Sequence, residues 1–110
     1  IQSYVLERLA DPELDARSIA AAHHISLSYL YRLFEDVGTP VAAWIRRRRL
    51  DRARRDLADP ALAHVPIHRI GARWGFVHAT DFSRAFRSAY GLTPSAFRRQ
   101  HSAPRPSTPT

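Results

Sequence analysis

The sequence predicts an all-α fold in which two helix-turn-helix subdomains are joined by a long linker helix, with about seven helices in all. Helix start and stop signals recur along the whole chain, and no stretch shows the strict apolar-polar alternation that is typical of strands. The segment YLYRLFEDVGTP at residues 29–40 is echoed by DFSRAFRSAYGLTP at residues 81–94. A chain of 110 residues, 45% of them hydrophobic, can form one compact domain or two small lobes that share a connector.

The first two helices are predicted from their ends. Residues 1–9 place apolar side chains on one side and stop before the sequence DPELD. Asp15 can cap a short helix that reaches residue 22, with Ile19 facing inward. The sequence HHIS then predicts a tight turn.

A third helix and a long fourth helix follow. Ser26 can cap a helix over residues 27–37, and Gly38 suits the left-handed stop at its end. Thr39 is expected to cap the linker helix, predicted over residues 40–57, with proline in its first turn, where no helical partner is needed for the amide. The residues expected to be buried in the third helix are Leu30, Leu33 and Phe34.

The second half repeats this order of elements. Pro66 restarts the helical pattern, WGF makes a second turn, and a helix is predicted over residues 79–90, ended by Gly91. The Thr-Pro pair at residues 93–94 caps a last short helix through Phe97. The first of these helices carries Ile67, Ile70 and Trp74, and the second is expected to bury Phe82, Ala85 and Phe86.

Aligned on these signals, the repeat covers most of both halves. The predicted domains are a first lobe with the linker helix (residues 1–57), a second lobe (residues 58–100) and a disordered tail rich in Pro, Ser and Thr (residues 101–110). Any helical hairpin buries residues at similar spacings, but stops, proline caps and arginines recur together here. The equivalent pairs are Ile19 with Ile70, Ile25 with Phe76, Leu30 with Phe82, Arg32 with Arg84, Phe34 with Phe86, Gly38 with Gly91 and Ile45 with Phe97.

The charge is uneven and points to a polyanionic partner. The net charge is +7, and residues 1–36 hold three arginines against six acidic residues, whereas residues 37–110 hold fourteen against four. Nucleic acid is favoured over a membrane, because no long segment pairs a basic face with a broad apolar one. A gene rich in G and C would explain why every basic residue is arginine, but it would not explain the surplus.

Catalysis and cofactors are not expected. The chain has no cysteine, and therefore no disulfide, thiolate zinc site or cysteine nucleophile. Its six histidines lack metal-ligand spacing, and neither a serine triad nor a glycine-rich phosphate loop is recognisable. No membrane span or signal peptide is evident, so a soluble cytoplasmic protein is expected. Because the chain starts at Ile1, we expect it to be part of a longer protein.

The residues of both halves resemble a known family. The sequence SYLYRLFEDVGTPVAAWIRRRRLDRARRDL, followed by IHRIGARWGFVHATDFSRAFRSAYGLTPSAFRR, is similar to the C-terminal DNA-binding domain of AraC/XylS-type transcription regulators over residues 14–99. The resemblance implies a bacterial nucleoid-associated regulator, an N-terminal effector or dimerisation domain outside this chain, and contact with RNA polymerase. This chain departs from the family at His78, where Asp is frequent, and at Asp81, where a neutral polar or aromatic residue is common.

Helix geometry gives a reason for the repeat. One helix fits the major groove of B-DNA, where each base pair presents a distinct set of hydrogen-bonding groups. A linker helix of about 27 Å, at ~1.5 Å per residue, is comparable to the ~34 Å over which the groove returns to the same face. Two reading helices, residues 27–37 and 79–90, could therefore contact two half-sites from one chain.

The candidate DNA-contacting residues lie opposite the apolar faces of the two reading helices. On the first reading helix they are Ser28, Tyr29, Tyr31 and Arg32, and on the second they are His78, Ala79, Thr80, Ser83, Arg84 and Arg87. Arg32 and Arg84 are the candidates for guanine, although a salt bridge or a phosphate clamp would equally suit either. The two tyrosines could instead cover the edges of the core.

The arginine-rich linker helix has several possible roles. Arg46 and Arg48 are expected to stay solvated or to meet phosphate, whereas Arg49 lies beside the apolar stripe and is expected to be partly buried. Free amides at the helix starts near Pro40 and Pro94 could also bind phosphate. The expected ion pairs are Arg47 with Asp51 and Arg52 with Asp56.

Two other functions remain open from the residues alone. The arginine surface could dock an acidic protein, as in a helical interaction module, or it could bind DNA without sequence preference as an architectural protein. Small polar residues at the start of a repeated helix favour sequence-specific binding of double-stranded DNA, because a docking module does not need them.

Overall fold

The computed structural model describes residues 1–102, and within this range it contains seven α-helices and no β-strand, which confirms the predicted all-α class. Residues 103–110, most of the predicted tail, lie outside the described residues. The helices are α1 (Gln2–Glu7), α2 (Ala16–Ala22), α3 (Leu27–Glu35), α4 (Val41–Ala58), α5 (Ile67–Arg73), α6 (Ala79–Tyr90) and α7 (Pro94–Ser102), with a 3₁₀ turn at Pro60–Leu62.

The two helix-turn-helix units share one turn geometry. In the first turn the amide of Ile25 donates to the carbonyl of Ala20 at 3.0 Å, and in the second the amide of Phe76 donates to the carbonyl of Gly71 at 2.9 Å. The residue before each of these amides has a positive φ, 54° at His24 and 90° at Gly75. The repeat inferred from the sequence is therefore present in the backbone.

Side-chain caps account for three of the helix starts. Asp15 and Ser18 form a reciprocal capping box at α2, and the hydroxyl of Ser26 accepts from the amide of Tyr29 at α3. The hydroxyl of Thr93 accepts from the amide of residue 96 at 3.2 Å, as expected. The predicted cap at residue 39 is wrong, because Pro40 itself is the N-cap of α4 and no side chain caps that helix.

Several helix ends differ from the prediction. The first helix stops at Glu7, short of residue 9, and α3 ends at Glu35 rather than at residue 37. Leu33 is 38% exposed, because Leu30 and Phe34 define the inward face and Leu33 falls at its edge. The last helix passes the predicted end at residue 97 and continues to Ser102.

Two hydrophobic cores are joined by α4. Its first half supplies Val41 and Ile45 to the first core, and its second half supplies Leu50 and Leu57 to the second. Trp74 packs against both cores, so the lobes share a packed contact. The remaining buried residues are Val5, Leu9, Leu14, Ile19, Ala20, Leu30 and Phe34 in the first core and Ala53, Ile70, Phe82, Ala85 and Phe86 in the second.

Candidate nucleic-acid interface

The first reading helix, α3, turns its candidate residues away from the core. Ser28 and Arg32 are exposed, and the two tyrosines are 44% (Tyr29) and 50% (Tyr31) exposed. The buried residues of the same helix lie on the opposite side. Since half of each tyrosine surface remains open to solvent, these rings are available for contact with a ligand.

The second reading helix, α6, presents a longer polar face. His78, Ala79, Thr80, Arg84 and Arg87 are all exposed, and Ser83 is half-buried at the edge of this face. His78 is the N-cap of α6 but makes no side-chain capping bond, since histidine is not among the residues preferred at this position. The candidate residues at the start of the helix are thus free of internal capping bonds.

The arginines of the two reading helices are unpaired. Within residues 1–102, Arg32, Arg84 and Arg87 make neither an ion pair nor a side-chain hydrogen bond, so the salt-bridge alternative for Arg32 and Arg84 is not found there. Exposed arginines without a carboxylate partner remain free to bind a phosphate or the acceptor atoms of guanine.

Arg46 extends this basic surface from the linker helix. Its side chain is exposed and borders an open groove of about 700 Å³ together with His78, Asp81 and Arg84. Arg48 differs from the expectation of a solvated side chain, because it is half-buried, pairs with Asp51 at 3.2 Å and lies near the ring of Trp44. Of the two phosphate candidates, Arg46 is the one left open to a ligand.

Arg49 connects the two lobes. Its Nε donates to the carbonyl of Leu9 at 3.0 Å, and its Nη2 donates to the carbonyl of Asp11 at 2.6 Å. A Cβ added to Gly75 would lie 2.8 Å from Cζ of Arg49, so the guanidinium also contacts the turn before α6. Burial lowers the pKa of Arg49 from its usual value, and the charge of Asp11 partly opposes this. The partial burial of Arg49 that the sequence predicts is confirmed. Its contacts with Leu9, Asp11 and Gly75 hold the turn before α6 against the first lobe.

Asp56 anchors α5 to the linker helix, a contact that the sequence analysis missed. Its carboxylate accepts from the indole N–H of Trp74 at 2.7 Å and from Arg73 at 3.3 Å. The predicted pair of Arg52 with Asp56 is therefore wrong, since the acid is turned toward the second lobe. A half-buried tryptophan needs a hydrogen-bond acceptor for its indole N–H, so Trp74 was the residue from which this contact could have been predicted.

Asp51 anchors the C-terminal end of α6 to the linker helix. The predicted pair of Arg47 with Asp51 is confirmed at 3.5 Å, and the hydroxyl of Tyr90 also donates to this carboxylate. The guanidinium groups of Arg47 and Arg54 lie 4.9 and 4.7 Å from the centre of the Tyr90 ring. Burial, followed by the hydrogen bond to Asp51, raises the pKa of Tyr90 to about 12.

Neither a metal cluster nor a membrane-crossing helix is found in the described part of the chain. Between residues 1 and 102, no three His, Asp or Glu side chains come together as metal ligands. None of the helices described for this range is long and apolar enough to span a bilayer.

Two helix-turn-helix units on one linker helix, each with an exposed arginine on its second helix, define a DNA-binding domain. Comparison with known proteins agrees, because residues 19–100 match the helix-turn-helix domain family. The transcriptional activator NphR of Rhodococcus sp is 34% identical over 101 residues, which are 92% of this chain and 29% of that protein.

Two solved structures share the fold. A transcriptional regulator with an AraC-type DNA-binding domain from Chromobacterium violaceum has a TM-score of 0.80 and 30% identity, covering 94% of this chain and 89% of the other. The DNA-binding domain of AdpA, a global transcriptional factor solved with a target DNA, has a TM-score of 0.82 and 25% identity, covering 96% and 92%. The chain belongs to the AraC-type helix-turn-helix family of transcription regulators.

Proposed function

We propose that this domain binds double-stranded DNA sequence-specifically by placing α3 and α6 in successive major grooves on one side of the duplex. The observation that carries this proposal is the repeat of an exposed, unpaired arginine, Arg32 and Arg84, at equivalent positions of two reading helices. The linker helix α4, with 18 residues, is about 27 Å long at ~1.5 Å per residue, comparable to the ~34 Å groove repeat.

The roles of the individual residues follow from their positions. Arg32 and Arg84 read guanine, while Ser28, Thr80 and Ser83 bond bases or phosphates. Ala79 can contact a thymine methyl group. Four further side chains lie close to the bases: Tyr29, Tyr31, His78 and Arg87.

Phosphate contacts supply most of the salt dependence. Arg46, which borders the groove beside α6, binds phosphate, and the uncapped helix start near Pro40 offers free amides, whereas near Pro94 the amide of residue 96 is held by Thr93. With roughly six phosphates neutralised, the logarithm of the affinity falls with the logarithm of salt at a slope near −5. All of these DNA contacts lie within the two predicted lobes, residues 1–100.

The chain spans about a third of the length of the curated relatives it matches. We propose that an N-terminal domain senses an effector or dimerises the protein, and that the regulator acts in the bacterial cytoplasm on nucleoid DNA with RNA polymerase as a partner. The DNA-binding domain itself has no catalytic role and needs no cofactor.

The proposal is tested with Arg84→Ala and Arg32→Ala on the preferred duplex and on duplexes with single base pairs replaced. Each substitution is expected to weaken specific binding by ~1–3 kcal/mol and to relax preference at one half-site. Arg55→Ala, which removes the same charge from an exposed position of the linker helix, serves as the control. Equal loss on every duplex for all three variants would show phosphate clamping without base readout.

A further inference from the structure

Asp81 is the only carboxylate on α6, and it lies in the first turn of this helix on the exposed side. Together with Arg46, His78 and Arg84 it borders the open groove of about 700 Å³. A surface that only attracts phosphate would be weakened by an acid at this place, since like charges repel across it.

The carboxylate of Asp81 is not used by the fold. Within the described chain it forms no ion pair with either arginine that borders the groove, and it accepts no side-chain hydrogen bond. In α2 the residue at the same helical position, Ser18, returns a bond to the N-cap amide, but Asp81 returns none to His78. The negative charge of Asp81 stabilises the start of α6 through the helix dipole, and this interaction leaves both carboxylate oxygens free to accept hydrogen bonds.

The chemistry of a free carboxylate in the major groove is selective. It accepts hydrogen bonds and cannot donate them, so its partner must be an exposed amino group, and the amino group of cytosine is the usual partner of an acidic side chain. Arg84 lies three residues further along the same face, where it can contact guanine in a neighbouring base pair. Asp81 and Arg84 together would recognise a cytosine and a guanine from one helix.

We propose that Asp81 is a specificity-determining residue, which accepts a hydrogen bond from a cytosine amino group in the second half-site and is left with uncompensated repulsion on DNA that lacks this base. This inference rests on the proposed placement of α6 in the major groove. The repulsion applies to every sequence, whereas the compensating hydrogen bond forms on the preferred sequence alone. Asp81 therefore raises the ratio of specific to nonspecific binding.

The test measures binding of Asp81→Asn to the preferred duplex, to duplexes with each base pair of the second half-site replaced, and to random duplex. Discrimination against the replaced cytosine position is expected to fall by about 5- to 100-fold, and binding to random duplex is expected to tighten. Asp36→Asn removes an exposed acid outside α6 and is expected to leave base preference unchanged.

A second variant separates base reading from helix stability. Asp81→Glu keeps the charge at the helix start but moves the carboxylate, so it should retain the melting temperature and lose discrimination at the same base pair. Uniform tightening by Asp81→Asn, with an unchanged base profile, would overturn the role of Asp81 while leaving the proposed function intact. Absence of any base preference in the unmodified domain would overturn both.

Discussion

Gly71→Ala should destabilise the second lobe, although alanine is the better helix former. A Cβ added to Gly71 would lie 2.6 Å from Cδ2 and 2.7 Å from Cγ of Phe82. Carbon atoms in contact are normally about 3.5–4.0 Å apart, so the ring would have to retreat by about 1 Å. Phe82 is 1% exposed and packs against Phe76 and Phe86, with ring centres 5.2 and 5.9 Å away, so a retreating ring would press on packed neighbours.

The net cost follows from two opposing effects. Overpacking a well-packed core costs about 1–3 kcal/mol, and the overlap here falls on ring atoms close to the backbone rather than on a flexible end. Replacing glycine by alanine within a helix returns up to ~1 kcal/mol. We expect Gly71→Ala to lower the free energy of unfolding by about 1–2 kcal/mol, or the melting temperature by roughly 5–10 °C.

The first lobe suggests the compensating change. The residues equivalent to Gly71 and Phe82 are Ala20 and Leu30, a larger helix residue and a smaller core residue that belong to one hydrophobic core. In urea unfolding, Gly71→Ala combined with Phe82→Leu should cost at least ~1 kcal/mol less than the sum of the single changes.

Gly38→Ala, combined with Phe82→Leu in the same way, provides the matched control for this double-mutant cycle. It has a φ of 79° but no atom within 4 Å of an added Cβ, so its cost is backbone strain and should simply add to that of Phe82→Leu. Additive behaviour of Gly71→Ala and Phe82→Leu, or an unchanged stability of Gly71→Ala alone, would refute the close approach of α5 to α6.

Two further predictions concern the turn of the first lobe and the end of α6. His24→Gly should raise stability by about 0.5–1 kcal/mol, because it removes a side chain held at a φ of 54°; a loss in thermal unfolding would mean that the imidazole contributes more than the strain costs. The pKa of Tyr90 is raised to about 12, so its stabilising effect is complete below the usual value near 10 and is lost as pH rises toward 12. The melting temperatures of the unmodified domain and Tyr90→Phe should therefore converge over this range, and a constant difference would contradict the raised pKa that burial and the bond to Asp51 produce.

The helix ends were predictable where their signals are local. Asp15, Ser26 and Gly91 act within a few residues of their own position, and all three end or start helices as the sequence indicates. Leu33 was wrongly predicted to be buried because it lies at the edge of the inward face of α3. Thr39 was wrongly predicted to cap α4 because the helix starts one residue later than expected, with Pro40 as its N-cap.

The contacts between lobes were less accessible to sequence reasoning. Arg49 was expected to be partly buried because it lies beside the apolar stripe of the linker helix, but its two carbonyl partners are about forty residues away in the chain. The carboxylate of Asp56 had a plausible local partner in Arg52, yet it bonds Trp74 across the lobe contact instead. The bond of Asp56 depends on the crossing of α4 and α5, and those of Arg49 depend on how the segment after α1 packs beside α4; no local pattern specifies either.

The most direct test of the account is selection of preferred sites from a random duplex library by this domain at about physiological salt, where nonspecific binding is weakest. Two short motifs about one helical turn apart are expected, with the motif contacted by α6 losing its definition in Arg84→Ala and the other losing it in Arg32→Ala. Binding that enriches no sequence, or a single motif that is insensitive to both substitutions, would contradict the reading of two half-sites by one chain.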